Sequence, residues 1–311
     1  MLPIAILGAG LAGLSAAMAL TAGGQRVRLI DKGRAAGGRL ATRRIEHAGQ
    51  SHRFDHGAQY LRAEGAGFSE VLQAAGTQTW PDGARRVPVP GMSALGRHMA
   101  VGLDLATGRH ATAITRGGAG WMVAHLEAAL VRPGQPLPDV APTLEGPFSA
   151  VLVTFPAEQA AAILPAGMAT RLAGITYAPC WTVLAGFDGR LAVPDTLRDH
   201  GAIGWAARDS AKPGRDAGQE NWVLQAGPDF SRAQIDAAPD AVIAQLLAAL
   251  PAPAPIFAVA HRWRFSLLET ALDQPCLWED GIGYASDGCI AGRAESAWES
   301  GQALARRVLA A

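Results

Sequence analysis

The stretch PIAILGAGLAGLSAAMAL (residues 3–20), followed by RVRLID (26–31), decides the fold of this chain. It predicts a strand, a glycine turn, a helix and a second strand that ends in an acidic residue. Gly8, Gly10 and Gly13 have the spacing G-x-G-x-x-G, and Asp31 follows about twenty residues later. This combination is typical of a βαβ unit that binds a dinucleotide.

Each residue of the pattern has a physical role in such a unit. Gly8 permits the tight exit from the first strand, and Gly10 lets the backbone approach a pyrophosphate. Gly13 lets the helix lie close to the strand, and the helix amino end offers free N–H groups to the phosphates. Asp31 is placed to accept hydrogen bonds from a ribose.

The competing interpretation of this first stretch is a secretory or membrane segment, because no charge precedes Arg26. However, no basic region precedes the apolar run, and several glycines interrupt it. The dinucleotide site is therefore the favoured interpretation.

Composition narrows the functional classes. Of 311 residues 49% are hydrophobic, and 27 basic residues balance 27 acidic ones, so the overall charge favours neither nucleic acid nor an anionic membrane as a partner. Cys180, Cys276 and Cys289 form no C-x-x-C pair, which argues against a dithiol enzyme and a disulfide scaffold. We expect a cytoplasmic protein with no metal ion.

Two segments after Asp31 favour a ligand close to the backbone. Gly37, Gly38 and Arg39 look like the flavoprotein pattern R-x-G-G-R, although an ordinary turn with a solvated arginine is the alternative. The segment RFDHGAQYLR (53–62) has the small residues of a loop that passes a planar ligand. Its alternative is a helix start capped by Asp55.

The rest of the chain predicts a cofactor domain built from both termini. Residues 104–126 predict an antiparallel hairpin, and the apolar run 148–156 predicts a buried parallel strand. Residues 177–260 alternate short strands with loops and predict a second, sheet-based domain. The end of the chain predicts a strand, then Asp287, then a helix from about Ala294.

These elements predict an α/β fold with a Rossmann-type cofactor domain and an inserted antiparallel-sheet substrate domain. The predicted boundaries are residues 1–75, 100–158 and 265–311 for the cofactor domain and residues 76–99 and 159–264 for the substrate domain.

Several motifs together resemble the flavin-dependent amine-oxidase superfamily, and more narrowly its bacterial renalase-like branch. The matching segments, in chain order, are GAGLAGL with Asp31, GGRLATRR, FDHGAQY, PGMSAL, FPAEQAAAIL, APCWTVL, RDSAKPGR, NWVLQAG, HRWRFS and SDGCIAGRAESAWESG. The resemblance implies non-covalently bound FAD in a two-domain fold like that of p-hydroxybenzoate hydroxylase. This chain departs from the family in having Ser286 before Asp287 and Asp31 where a longer glutamate is usual.

The resemblance also implies which residues would bind FAD. The diphosphate, ribose, flavin and adenine contacts would come from Gly8, Gly10, Leu11, Ala12, Asp31, Lys32, Gly38, Arg39, Leu40, Ala58, Gln59, Ala111, Asp287, Ala294 and Glu295. Among these, Ala294 and Glu295 would present helix N–H groups to the flavin and stabilise its anionic reduced form.

The function implied is that of an oxidase that takes hydride from dihydronicotinamide dinucleotides reduced at the 2 or 6 position. Dioxygen would accept the electrons, and the products would be hydrogen peroxide and NAD(P)+. Such a donor becomes aromatic as the hydride leaves, so no strong general base is required. An amine oxidase and a non-catalytic flavin-binding module remain as alternatives.

Two aromatic residues are candidates for the substrate pocket. Tyr60 follows the loop at 53–59, and Trp263 lies in HRWRFS, where the chain returns to the cofactor domain. An aromatic face there would hold a flat nicotinamide, and Arg262 or Arg264 would meet its phosphates. The alternative for Trp263 is a core residue that ties the two domains together.

Overall fold

The computed structural model describes residues 2–311. Its strands are β1 (Ile4–Leu7), β2 (Val27–Ile30), β3 (Thr42–His47), β4 (Gln50–Asp55), β5 (Gln78–Thr79), β6 (Arg86–Val87), β7 (Leu105–Ala106), β8 (Arg109–Arg116), β9 (Trp121–Glu127), β10 (Thr143–Phe148), β11 (Ala150–Val153), β12 (Thr176–Phe187), β13 (Thr196–His200), β14 (Ile203–Arg208), β15 (Glu220–Ala226), β16 (Phe257–Thr270), β17 (Leu277–Glu279) and β18 (Ile282–Tyr284). Its α-helices are α1 (Leu11–Ala22), α2 (Ala66–Ala74), α3 (Ser93–Met99), α4 (Ala157–Ala160), α5 (Ala166–Leu172), α6 (Pro228–Ala233), α7 (Pro239–Ala248) and α8 (Ala294–Leu309).

The chain divides into two compact units. The first contains residues up to 38, 96–176 and 268–311, and the second contains residues 39–95 and 177–267. This division differs from the predicted boundaries, because it groups residues 39–75 with the second unit and residues 96–99 and 159–176 with the first. The physical reason is that Phe54 of β4 packs in a buried cluster with Leu184 and Val223 of the second unit. That the units serve as cofactor and substrate domains stays a prediction.

The first unit is built on a mostly parallel sheet. Its strand order is β17-β18-β11-β1-β2-β7, and all neighbours are parallel except β17 and β18. Every residue of β1 and β11 is buried, as expected for central strands covered on both faces. The parallel strand predicted within 148–156 is thus confirmed as β11.

Two helices of the first unit pack closely along each other. A Cβ on Gly301 of α8 would overlap the carbonyl oxygen of Ala12 in α1, so the pair needs a glycine at this crossing. Ser15 of α1 donates a hydrogen bond to the Trp298 carbonyl of α8 at 2.7 Å. Because Gly23 at the end of α1 approaches Leu309 at the end of α8, the two helices run in the same direction.

The first unit also carries an antiparallel sheet with the order β10-β9-β8. Its β8–β9 pair is the hairpin that the sequence predicts for residues 104–126. None of the helices formed by the described residues has the length and hydropathy needed to cross a membrane.

The second unit centres on an antiparallel sheet with the order β13-β14-β15-β12-β16. Trp181 and Trp222 are 3% and 0% exposed in its hydrophobic core, where Val242 and Leu246 of α7 cover them. The sheet predicted for the middle of the chain is confirmed, and these two tryptophans have the core role that is usual for clustered tryptophans.

Candidate functional site

The ends of the parallel strands gather polar residues at one edge of the first unit's sheet, here called the carboxyl edge. Gly8 follows β1, Asp31 follows β2, Thr154 follows β11, and Asp287 comes shortly after β18. Parallel strands place their carboxyl ends at the same edge, where open α/β sheets bind their ligands. The chain therefore presents a candidate nucleotide site within this unit.

The fold requires two of the three glycines of the first turn, whereas the third leaves open space beside the backbone. Gly8 has φ of +109°, a conformation that residues with a Cβ rarely adopt. A Cβ on Gly13 would overlap the carbonyl oxygen of Gly8 and lie 2.6 Å from Thr154 Oγ1. A Cβ on Gly10, in contrast, would meet no protein atom within 4 Å.

A second glycine turn closes against the first. Gly37 and Gly38 have φ of +122° and +56°, and the Gly37 amide donates to the Ala9 carbonyl at 2.8 Å. A Cβ on Gly38 would lie 3.2 Å from the Cα of Gly10. We call Gly8, Gly10, Gly13, Gly37 and Gly38 the glycine cradle, because together they form a backbone surface without side chains at the amino end of α1.

Asp31 is bound to the backbone on both sides of its carboxylate. Oδ2 accepts from the Ala9 amide at 2.7 Å, and Oδ1 accepts from the Gly33 amide at 2.6 Å. Each oxygen keeps lone-pair capacity for a further donor. Asp31 therefore helps to shape the cradle itself. The neighbouring Lys32 donates to Gln159 Oε1 at 3.1 Å.

Helix α8 begins at Ala294, as the sequence predicts, and no side chain caps it with a hydrogen bond. Glu295 is 3% exposed in its first turn. The next residue, Ser296, is fully buried, and its Oγ lacks a hydrogen-bond partner in the part of the chain that the structure describes. Buried hydroxyls are rarely left unpaired, so Ser296 is a further candidate, beside Ala294 and Glu295, for a contact with a bound group.

Two other predicted residues of this unit lie on different elements. Asp287 begins a short 3₁₀ turn (Asp287–Cys289) and is 4% exposed. Ala111 lies in β8 beside a shift in register between Ala111 and Ala113. The Arg109 amide, at the start of the same strand, donates to the Asp31 carbonyl at 2.9 Å, which joins β8 to the carboxyl edge.

Four of the predicted cofactor residues, Arg39, Leu40, Ala58 and Gln59, belong to the second unit. The Ala58 amide donates to the Arg39 carbonyl at 3.0 Å, so these two segments are in direct contact. Arg39 also donates from Nη1 to the Ser266 carbonyl at 3.1 Å. Leu40 is 3% exposed.

The loop after β4 is fixed by hydrogen bonds along its length. The structure has no helix at residues 56–60, so the alternative of a helix capped by Asp55 is wrong. Trp263 Nε1 donates to the His56 carbonyl at 2.9 Å, and Gln225 Nε2 donates to the Gly57 carbonyl at 2.8 Å. Such a loop is preorganised, as binding sites require.

A buried group of charges, which the sequence did not predict, anchors this loop. Lys212 Nζ lies 3.4 Å from Asp55 Oδ2, 2.7 Å from Asp209 Oδ1 and 3.2 Å from Gln59 Oε1. Arg215 pairs with the same oxygen of Asp55. We call Asp55, Gln59, Asp209, Lys212 and Arg215 the Asp55 network.

The network is electrically balanced, with two carboxylates and two cations. Burial alone would raise the pKa of Asp55, but Lys212 and Arg215 outweigh burial and hold this pKa below its ordinary value. Burial raises the pKa of Asp209, and the attraction of Lys212 does not fully offset it. The network therefore depends on Lys212 for its charge balance.

Tyr60 lies among aromatic rings and arginines of the second unit. Its ring centroid is 5.5 Å from that of Trp205. The guanidinium carbon of Arg85 lies 4.6 Å from the Tyr60 centroid, that of Arg62 5.9 Å from it, and that of Arg198 4.5 Å from the Trp205 centroid. We call these five residues the Tyr60 cluster.

Trp263 is half-buried on β16 and lies apart from the hydrophobic core of its sheet. Its ring centroid is 5.1 Å from that of His56 and 4.5 Å from that of His261. Burial, with the nearby His261, lowers the pKa of His56 to about 4. Trp263 thus contacts the loop after β4, and its place in a substrate pocket stays a prediction.

Comparisons with known proteins agree with this architecture. A family model described as an NAD(P)-binding Rossmann-like domain matches residues 6–74. Similar solved structures include putrescine oxidase bound to putrescine (TM-score 0.71, 12% identity, 100% of this chain and 99% of that chain). Cyclohexylamine oxidase from Brevibacterium oxydans has a TM-score of 0.73 at 13% identity, over 99% of each chain. A proposed protoporphyrinogen oxidase from Exiguobacterium has a TM-score of 0.75 at 12% identity, over 99% of this chain and 98% of that chain. At these identities the likeness establishes the fold, which is the predicted α/β fold with a Rossmann-like domain.

Proposed function

We propose that this chain is an FAD-dependent oxidase that oxidises dihydronicotinamide dinucleotides reduced at the 2 or 6 position. The observation that carries the cofactor part of the proposal is the glycine cradle. A Cβ on Gly10 would point into open space. Gly10 lies at the amino end of α1, which no side chain caps with a hydrogen bond. A diphosphate fits there, because it needs main-chain N–H groups and no intervening side chain.

The residues of the first unit fit the remaining parts of FAD. Leu11 and Ala12 would offer N–H groups to the diphosphate, and Asp31 would accept from the adenosine ribose beside Lys32. The unpaired Ser296 hydroxyl, with Ala294 and Glu295 in the same helical turn, would meet the flavin end.

Other predicted residues would complete the cofactor site. The backbone of Ala111 would meet the adenine, and Asp287 would meet the ribityl or phosphate groups. From the second unit, Arg39 and Leu40 would run along the diphosphate and flavin, and Ala58 and Gln59 would pass close to the flavin ring. The hydrogen bond between Ala58 and the Arg39 carbonyl supports a shared role for these segments.

The proposed reaction converts the dihydropyridine and dioxygen, with one proton from solvent, into NAD(P)+ and hydrogen peroxide. Bound FAD supplies the ring that accepts the hydride and passes two electrons to dioxygen. The residues of this chain bind the donor, orient it and exclude water. Tyr60 and Trp263 offer the aromatic surfaces for a flat nicotinamide.

The ionisable groups beside the loop after β4 agree with a reaction that needs no strong base. Asp55 is held by Lys212 and Arg215, so it is not available to take a proton. His56 is neutral at pH 7, and its Nδ1 lies 3.1 Å from the Ala41 carbonyl oxygen. A dihydropyridine loses only hydride, whereas an ammonium substrate must first lose a proton.

Anaerobic mixing of the flavin-loaded protein with a panel of donors tests the proposal. We expect rapid bleaching of the flavin absorbance by 2- and 6-dihydronicotinamide dinucleotides and formation of hydrogen peroxide once air is admitted. Bleaching by primary amines or polyamines instead would establish an amine oxidase. Bleaching by neither would contradict an oxidase function and favour a non-catalytic flavin-binding module.

A further inference from the structure

The Tyr60 cluster contains more positive charge than nearby acids neutralise. Arg85 pairs with Asp82 at 3.0 Å, and the Asp82 side chain is 48% exposed. Arg198 donates to the Tyr60 hydroxyl at 3.2 Å, which brings no negative charge. Within residues 2–311 no carboxylate forms an ion pair with Arg62 or Arg198, so one of the three guanidinium groups is paired.

Two buried donors of the cluster also have no acceptor. Trp205 is 8% exposed, and its Nε1 has no hydrogen-bond partner among the described residues; the same holds for Arg85 Nε. An unmade hydrogen bond of this kind is costly, so an oxygen-rich ligand would be bound favourably. Arg198 is exposed and lies over the Trp205 ring, so its side chain can move to admit such a ligand.

We propose that the Tyr60 cluster binds a phosphate group of the dinucleotide donor. This inference rests on the proposed function and adds the recognition of the donor's charge. Planar guanidinium groups match phosphate oxygens through paired hydrogen bonds, and the Tyr60 and Trp205 rings keep the arginines in place. The same charge repels a cationic amine, so the cluster distinguishes the two classes of donor.

The cluster replaces the arginines that the sequence suggested for this contact. Arg262 and Arg264 lie 3.5 Å and 3.7 Å from the same carboxylate oxygen of Asp236. Arg262 also donates to the Ile235 carbonyl and lies over the Trp181 ring. Their charge is partly neutralised, whereas that of Arg62 and Arg198 is not.

Donor kinetics of Arg198→Gln test the proposal on an exposed residue whose loss does not threaten folding. We expect KM for the dihydronicotinamide dinucleotide to rise about tenfold, on the scale of one charge-assisted hydrogen bond, with kcat unchanged. KM for dihydronicotinamide riboside, which has no phosphate, should not change. Equal effects on both donors, or no effect on either, would overturn the proposal.

A matched control is available in the first unit, where Arg116 lies 4.9 Å over the Trp121 ring. Trp121 Nε1 also lacks a partner among residues 2–311, and Arg116 lies over this ring as Arg198 lies over Trp205. Arg116→Gln should therefore leave both KM values unchanged. A rise in the dinucleotide KM equal to that of Arg198→Gln would show a general effect of surface charge.

Calorimetric titration of the flavin-loaded protein with inorganic pyrophosphate separates this inference from the proposed function. We expect binding that Arg198→Gln and Arg85→Gln weaken about tenfold and that Arg116→Gln does not change. If no dihydronicotinamide reduces the flavin, the proposed function fails, but the titration still decides whether the cluster binds phosphate. Pyrophosphate binding that is absent, or insensitive to Arg198→Gln, overturns the inference even in an active oxidase.

Discussion

The glycine cradle and the Asp55 network are built by opposite means. The cradle is main chain: two glycine turns meet, and the Gly37 amide bonds to the Ala9 carbonyl. The network is side chain: Asp55, Asp209 and Lys212 are each at most 2% exposed. The cradle depends on glycines, which have no side chain, and the network depends on charges that neutralise each other.

This difference indicates which kind of substitution damages each unit. A side chain added to a glycine of the cradle changes no charge, but it occupies the space of a ligand. A removed charge alters the network without changing the backbone, because a buried ion is left without its partner. The two kinds of damage have separate readouts, namely cofactor retention and stability.

The largest expected effect is loss of the cofactor in Gly10→Val. Gly10 has φ of −75° and ψ of −177°, which valine adopts readily, and no protein atom lies within 4 Å of its added Cβ. The variant should contain no FAD after gel filtration and should melt at the same temperature as flavin-free wild-type protein. Gly227→Val is the matched control, because Gly227 also precedes a helix, with φ of −63° and open space around its Cβ. Full flavin content in Gly10→Val would show that the phosphate site is misplaced.

The next effect is on stability in Lys212→Met. Loss of one partner from a buried ion pair costs about 3–5 kcal/mol, and here Lys212 serves both Asp55 and Asp209. Urea unfolding measures the change. The double variant Lys212→Met/Asp209→Asn restores charge balance and should recover part of the loss. A double variant no more stable than the single one would contradict the account of the network.

A third expectation concerns pH and His56, whose pKa of about 4 lies below the ordinary value of 6.5. As the pH falls below 6.5, His56 becomes protonated in the unfolded chain, whereas in the folded chain it stays neutral until about pH 4. Stability should therefore fall as pH falls through this window, by about 3 kcal/mol for this group. His56→Asn should flatten that part of the stability profile. An unchanged slope would show that other groups cause it.

The smallest expected effect is that of Asp31→Ala on FAD affinity. The substitution removes a ribose acceptor and also the acceptor for the Ala9 and Gly33 amides. We expect a loss of about 1–3 kcal/mol, measured by titrating flavin-free protein with FAD. Complete loss of binding, as in Gly10→Val, would mean that the hydrogen bonds of Asp31, and not the open space beside Gly10, determine whether the cradle binds FAD.

The cradle could be predicted from sequence because its parts are adjacent in the chain. The roles of Gly8 and Gly13 follow from a contiguous motif, and the structure supplies the positive φ and the close contact that they predict. The start of α8 at Ala294 was also readable, since a strand and Asp287 precede it. The contribution of Thr154 was not, because it depends on β11 lying beside β1.

The second unit resisted prediction because long-range side-chain contacts form its sites. Lys212 lies 157 positions from Asp55 in the chain, and Arg198 lies 138 positions from Tyr60. No pattern of neighbouring residues in the sequence indicates such pairs. The one signal available in the sequence was composition. Lys212 is one of only two lysines in a chain whose other basic residues, apart from histidine, are arginines.

Binding of FAD at the carboxyl edge of the first unit is the property on which the proposed function depends. The visible absorption spectrum of the purified protein, before and after incubation with FAD and gel filtration, tests it most directly. We predict a yellow protein with one FAD per chain, released on denaturation because the cofactor is not covalently bound. A colourless protein that retains no FAD after this incubation would contradict the account.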